Sequence, residues 1–326
     1  MRSLKIEALR ALTDRIVEGY RLKPADPEVQ ELLNQPLEEL QEEAGRIQKH
    51  FCGNHVDFCT IINARSGRCG ENCKYCAQAA CHHTGCEEYG FLSKEEVMET
   101  AKADQDAGAN RFAMVTSGRA LTGKDFEKAL EIYRAMKKDL TIDLCASHGI
   151  LSREQFRRLR EAGVTSYHHN IETSRRYFPQ ICTSHTFDDR IRTIKAAQAE
   201  GMCVCSGGII GMGETWQDRL DMAFTLQSLG IESIPINALM AIPGTGMEGR
   251  KPLPAEEILR TIAIFRFINP TANIRLAAGR KLLPQNGATA LKAGASASIT
   301  GNMLTTSGTT IKEDMEMLKE LGMTNH

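Results

Sequence analysis

Eight short apolar runs, separated by longer stretches with apolar residues at helical spacing, constrain this chain more than any other feature. The runs are Cys59–Ala64, Arg111–Thr116, Thr141–Ser147, Ser166–Ile171, Met202–Ile209, Ser233–Met240, Asn273–Ala278 and Ala297–Gly301. Between them lie helical patterns such as Ser93–Ala107, Lys124–Met136, Ser152–Ala162, Phe187–Glu200, Thr215–Ser228 and Ala255–Phe267. Ser93 with Glu96 reads as a capping box, and Ser152 with Glu154 close by as another helix start. Gly108, Gly163, Gly201, Gly230 and Gly294 stand where helices should end. After the second run, each begins about 25–40 residues beyond the last, the length of one strand–helix unit. This pattern predicts a (β/α)8 TIM-type barrel. An open doubly wound sheet is the alternative that such alternation allows.

Residues 1–54 read as an N-terminal helical extension. Leu4, Ala8, Leu9, Leu12 and Ile16 recur at helical spacing, Pro24 interrupts, and Glu28–Leu33 and Leu37–Phe51 resume the pattern. No Pro/Ser-rich linker divides the rest, so residues 55–326 are expected to form the barrel with a C-terminal tail. The 40 basic and 41 acidic side chains leave a net charge of -1, which argues against a nucleic-acid partner bound by neutralising many phosphates. No apolar run approaches ~18 residues, which argues against a membrane span. Charges at Arg2, Lys5, Glu7 and Arg10 leave no room for an apolar secretory segment. The expectation is a cytoplasmic, soluble enzyme.

There are 11 cysteines. An odd, clustered set in a chain of this size and compartment suits metal ligation better than a disulfide framework. In a barrel of this kind, chemistry sits where strands run into the following helices. Polar and sulfur-bearing residues gather there: Asn63 and Arg65, Thr116 and Ser117, Cys145 and His148. The set continues with His168, Asn170 and Glu172, then Cys203 and Cys205, Asn237 and Arg275. Alternation along a strand puts Cys203 and Cys205 on one face. Each polar group buried without a partner costs roughly 1–3 kcal/mol, so an inward polar set spread over most strands implies an enclosed binding site.

The strongest local signal is Cys69-x3-Cys73-x2-Cys76 in the loop after the first run. Three thiolates on a compact loop can hold three irons of a [4Fe–4S] cluster and leave one open. A structural zinc site would want four ligands. Cys81 and Cys86, with His82 and His83, could form a metal knuckle but read as peripheral packing. Cys52, Cys59 and Cys182 read as packing residues. The Ser206-Gly207-Gly208 run lets backbone approach a ligand closely.

The spacing, with Tyr75 before the last cysteine, resembles the radical S-adenosylmethionine (SAM) superfamily. The resemblance implies that Cys69, Cys73 and Cys76 hold the cluster, that SAM chelates the open iron, and that Tyr75 packs near adenine. Reductive cleavage of SAM then yields a 5′-deoxyadenosyl radical.

A closer resemblance spans residues 55 to 323. The runs Cys73-Lys-Tyr-Cys-Ala-Gln, Tyr167-His-His-Asn-Ile-Glu-Thr-Ser, Val204-Cys-Ser-Gly-Gly-Ile-Ile-Gly-Met-Gly-Glu-Thr, Ser233-Ile-Pro-Ile-Asn and Ile274-Arg-Leu-Ala-Ala-Gly-Arg are similar to the biotin synthase family. That resemblance implies conversion of dethiobiotin to biotin, with an auxiliary iron–sulfur cluster as sulfur source, a flavodoxin or ferredoxin electron donor, and a homodimer. It assigns Asn170 and Glu172 to SAM, Asn170 also to dethiobiotin, Arg190 to the SAM carboxylate, and Asn237 to the ureido ring. Glu172 stands where the family has the shorter aspartate.

The auxiliary cluster of the family takes cysteines from the second, third and fifth strands and an arginine from the seventh. Here Cys145, Cys205 and Arg275 match, but the second-strand position is Ala113. Cys203 is the expected substitute, giving a ligand set of Cys145, Cys203, Cys205 and Arg275. The auxiliary cluster would then be [4Fe–4S]-type or [2Fe–2S]. On this expectation Cys203→Ala cleaves SAM but makes little biotin. Alternatives are a related radical SAM enzyme, such as a hydrogenase-cofactor maturase or an amino-acid mutase, or a non-catalytic iron–sulfur or zinc sensor.

Overall fold

The structure is a computed structural model in which residues 2–301 and 308–325 are described. Nine parallel strands form one sheet: β1 (Asp57–Arg65), β2 (Arg111–Thr116), β3 (Asp143–Ser147), β4 (Ser166–His168), β5 (Cys203–Cys205), β6 (Gly208–Ile210), β7 (Ser233–Ala238), β8 (Asn273–Leu276) and β9 (Ala297–Ile299). The hydrogen-bonded order is β5-β4-β3-β2-β1-β9-β8-β7-β6, and β5 also pairs with β7 through Cys205 and Ser233. That last pairing closes the sheet. β5 and β6 are two halves of the fifth run, so the architecture is the expected eight-stranded (β/α)8 barrel, and the open sheet is excluded.

The fifth run breaks because its middle is pulled sideways into two neighbours. Ser206 N donates to Ser233 O at 2.9 Å, while Gly207 N donates to Asn170 Oδ1 at 3.1 Å. A Cβ at Gly207 would lie 2.0 Å from Pro235 O, and one at Gly208 would lie 2.4 Å from Glu172 O. Only glycine lets three backbones meet this closely.

Helices alternate with the strands at the expected places. Lys94–Asp106 starts with the Ser93/Glu96 capping box. Arg153–Glu161 also has a capping box, but Ser152 pairs with Gln155 rather than with Glu154, because the reciprocal bond needs the third helical residue. The five expected stop glycines all have positive φ. The main apolar core lies between the sheet and these helices.

Residues 2–54 form three helices, Arg2–Val17, Glu28–Leu33 and Leu37–Cys52. The third packs on the barrel helix Ala255–Ile268, and Arg260 donates to Gln35 O at 2.6 Å. The chain end is stitched beside β1: Val56 N donates to Thr324 O at 2.8 Å and Thr324 N to Asn54 O at 3.0 Å. Among the described residues, no helix is long and apolar enough to cross a membrane.

Candidate active site

The carboxyl ends of the strands surround a cavity of about 440 Å³. Cys69, Cys73 and Cys76 all line it, as does Tyr75. Their loop is held by backbone pairing across its neck, with Cys69 N donating to Gln78 O at 3.0 Å and Ala80 N to Cys69 O at 2.8 Å. Gly67 N also donates to Gln78 Oε1 at 3.1 Å. These bonds bring three thiols separated by up to seven positions into one curved segment. Burial pushes the Cys76 thiol up to about 11. Metal coordination deprotonates such a thiol.

Beside this loop lies a group that the sequence did not reveal. Cys182 Sγ is 3.7 Å from Cys73 Sγ, and the ligating atoms of Cys73, Cys182 and His185 all lie within 4.8 Å of one another. His185 Nδ1 contacts Glu71 Oε2, while Arg190 Nε donates to His185 Nε2 at 3.1 Å. An Nε2 that accepts leaves Nδ1 as the protonated nitrogen, so His185 couples Glu71 to Arg190. The spacing Cys182-x2-His185 was the only local hint.

Arg190 in turn donates to Asn170 O at 2.8 Å and lies 3.3 Å from Glu172 Oε1. It is a buried positioning arginine, not one on the solvent face of its helix. Glu172 has φ 69 and is held there by bonds to the broken strand, Glu172 N to Gly207 O at 3.1 Å and Ile209 N to Glu172 O at 2.8 Å. Its Oε2 is buried without a hydrogen-bond partner. A buried, unpaired carboxylate oxygen on the cavity wall suits a ligand that brings hydroxyl donors.

Asn237 is fixed on both sides, donating to Gly208 O at 3.0 Å and accepting from Ala278 N at 3.1 Å. One N–H and one lone pair remain for a ligand, and the Asn170 amide keeps both N–H groups.

The barrel floor carries a second set of thiols. Cys59, Ala113 and Cys145 are fully buried and form a small cluster of their own, with Ile61 against it. Cys59 Sγ, Cys145 Sγ and a ring nitrogen of His168 lie within 4.8 Å of one another. His168 is the register partner of Cys205 across β4 and β5, and both line the cavity with Arg275. Contact with the Cys59 thiol, helped by His168 and Arg111, holds the Cys145 thiol well below its ordinary value despite burial.

One expectation needs correction. Cys203 does not join this set: it opens β5 at its amino end, is exposed, and faces the Glu232 carboxylate. Alternation does put it in phase with Cys205, but one repeat along the strand carries it away from the cavity. The third thiol beside the Ala113 vacancy is Cys59, from the adjoining β1, which had been read as packing. Arg275 is held in place by several partners. It donates to Ser233 Oγ at 3.2 Å, Asp57 O at 3.0 Å and Ser298 O at 3.1 Å, and forms an ion pair with Asp57. Cys81, His82, His83 and Cys86 enter neither thiol group; His82 caps Cys76 O at 2.9 Å.

Residues 64–226 match the Radical SAM superfamily and residues 235–324 the Biotin and Thiamin Synthesis associated domain. The chain is 54% identical over 314 residues to the biotin synthase of Alkaliphilus metalliredigens, covering 96% of this chain and 98% of that one. It is 52% identical to the biotin synthase of Clostridium beijerinckii, covering 96% and 99%. The chain belongs to the biotin synthase family. It is therefore a radical SAM enzyme, and the superfamily implies a [4Fe–4S] cluster and SAM. The barrel also superposes on methylornithine synthase with a TM-score of 0.82 at 22% identity, covering 97% of each chain. An [FeFe]-hydrogenase maturase gives 0.80 at 16%, covering 99% of this chain and 78% of that one. At these identities the likeness concerns the fold alone.

Proposed function

We propose that this chain converts dethiobiotin to biotin, with Cys69, Cys73 and Cys76 holding the SAM-binding cluster and Cys59, Cys145 and Cys205 an auxiliary iron–sulfur cluster. The carrying observation is a cavity with a loop set of thiols on its wall and a strand set at its base, where Cys205 lines it and Cys59 and Cys145 lie beneath, with carboxamides on the same lining. The donors fit such groups: soft thiols in threes suit iron–sulfur clusters. When bound, they supply one-electron cleavage of SAM for hydrogen abstraction and the sulfur atom that is inserted.

The chain's own residues would bind and orient. Glu172 presents its unpaired oxygen to the ribose hydroxyls, Arg190 fixes that carboxylate, and Tyr75 covers the adenine. Asn170 donates to the ureido carbonyl, and Asn237 accepts one ureido N–H. Arg275, clamped by Asp57, sets a positive charge beside the floor thiols and favours their thiolate forms. A flavodoxin or ferredoxin supplies electrons, in a cytoplasmic homodimer.

Anaerobic assay with dethiobiotin, SAM and a reductant tests this reading. Cys59→Ala should still release 5′-deoxyadenosine while biotin falls by at least about tenfold, and Cys203→Ala should make biotin close to wild type. Normal biotin yield from Cys59→Ala would overturn the ligand set, and no biotin from fully loaded wild type would overturn the activity.

A further inference from the structure

We infer that His168 is the fourth protein donor of the auxiliary cluster, completing a set of three thiolates and one imidazole, with Arg275 outside it. The inference rests on the proposed function and deepens its floor site.

Among the described residues, His168 is the metal-ligating non-thiol side chain grouped with the floor thiols, its ring nitrogen within 4.8 Å of both Cys59 Sγ and Cys145 Sγ. On the other side it pairs in register with Cys205, so His168 stands between the Cys59/Cys145 pair and the cavity-lining Cys205. Among the described residues its ring makes no hydrogen bond beyond the contact with the Cys145 thiol. A neutral imidazole has a lone pair to give to iron, and imidazole with thiolates is an ordinary iron–sulfur ligand set.

Arg275, which matches the arginine ligand of the family, is committed to other partners in this chain. Three of its hydrogen bonds go to Ser233, Asp57 and Ser298, and its guanidinium is ion-paired with the Asp57 carboxylate. To bind iron it would have to abandon Asp57, which Arg111 alone would then pair.

Position adds a consequence. His168 lines the cavity whereas Cys59 and Cys145 lie beneath it. An iron held by His168 would lie on the cavity side of the set, as would one held by Cys205, which also lines the cavity.

The test uses the full chain with Cys69, Cys73 and Cys76 all changed to Ala, so that only the auxiliary cluster loads, reduced and examined by pulsed EPR. The expected result is a strongly coupled nitrogen that changes isotope on [15N]histidine labelling. It should be lost in His168→Ala and in His168→Asn, the second of which keeps the bulk and a polar side chain. A histidine coupling that survives in both variants, a coupling that follows [15N]arginine instead, or no strong nitrogen coupling would each overturn the inference. Iron and sulfide counts separate the two levels. If no cluster loads in this variant, the proposed auxiliary site itself fails; if one loads without histidine nitrogen, only the His168 assignment does.

Discussion

Single residues of the same type do opposite things in this barrel, and their surroundings decide which. His168 and His148 both sit at strand ends. His148 is fully enclosed: Nδ1 meets Thr116 Oγ1 at 3.0 Å and Nε2 meets Tyr133 Oη at 3.0 Å. Burial, with Arg65 nearby, lowers its pKa to about 3. It is a neutral core histidine with both nitrogens satisfied, not a site residue. Because its folded pKa lies below the unfolded 6.5, it stabilises the fold fully above pH 6.5, and that contribution is lost as pH falls toward 3. The loss should amount to a few kcal/mol at most, on the order of one per pKa unit. Thermal unfolding of cluster-free protein between pH 7 and 4 checks this. His148→Gln should be less stable than wild type at pH 7 but should lose less on acidification. Parallel acid branches in the two proteins would refute it. Asp57 is the counterpart among acids. Burial opposes its charge, but Arg275 and Arg111 hold its pKa down. Asp57→Asn should cost about 3–5 kcal/mol by stranding buried guanidinium charge, read as a drop in unfolding midpoint.

At the scale of elements, the broken fifth strand is the part of the fold that builds the site. Had Met202–Ile209 run on as one strand, Gly207 could not bond to Asn170, and Glu172 would lose both backbone anchors that hold it at positive φ. Left-handed geometry at a non-glycine residue costs roughly 1–3 kcal/mol and persists only where neighbours enforce it. Gly207→Ala should therefore damage both stability and SAM binding, since its Cβ would meet Pro235 O at 2.0 Å. We expect destabilisation of about 3 kcal/mol, at the upper end for overpacking, measured by denaturant unfolding. Unchanged stability together with unchanged SAM affinity would contradict this account. Most other elements were legible from pattern alone. The Lys94–Asp106 helix carries its start in Ser93 and Glu96 and its stop in Gly108. The strand break was not legible, because Ser-Gly-Gly is compatible with a strand, a turn or a bulge until the neighbouring backbones are in place.

Across the whole molecule, segments far apart in sequence close the barrel. Residues 2–54 cover one barrel helix, and the C-terminal helix Ile311–Leu321 is tied back by a buried pair. Arg280, after β8, contacts both carboxylate oxygens of Asp314 and also Ser298 Oγ at 3.0 Å. Removing one partner of a buried pair leaves a charge without compensation, at a cost of about 3–5 kcal/mol. Asp314→Ala should thus loosen residues 311–321 before the barrel opens. Amide hydrogen exchange should rise in that helix while β1 to β4 keep their protection. Uniform loss of protection would show instead that tail and barrel unfold as one unit.

The sequence by itself determined the barrel and the three-cysteine loop, which are written in periodicity and local spacing, and, through its resemblance to biotin synthases, the family and the departure at Ala113. What it could not decide was which thiol stands beside that position. Alternation along one strand pointed to Cys203, since it shares a face with Cys205. The choice depends instead on how neighbouring strands are staggered around a closed barrel, a property of pairing between β1, β2 and β3 and of no single segment. In the closed barrel Cys59 packs against Ala113 and Cys145, Cys203 stands at an open strand end, and His168 lies among the thiols while His148 is enclosed in the core.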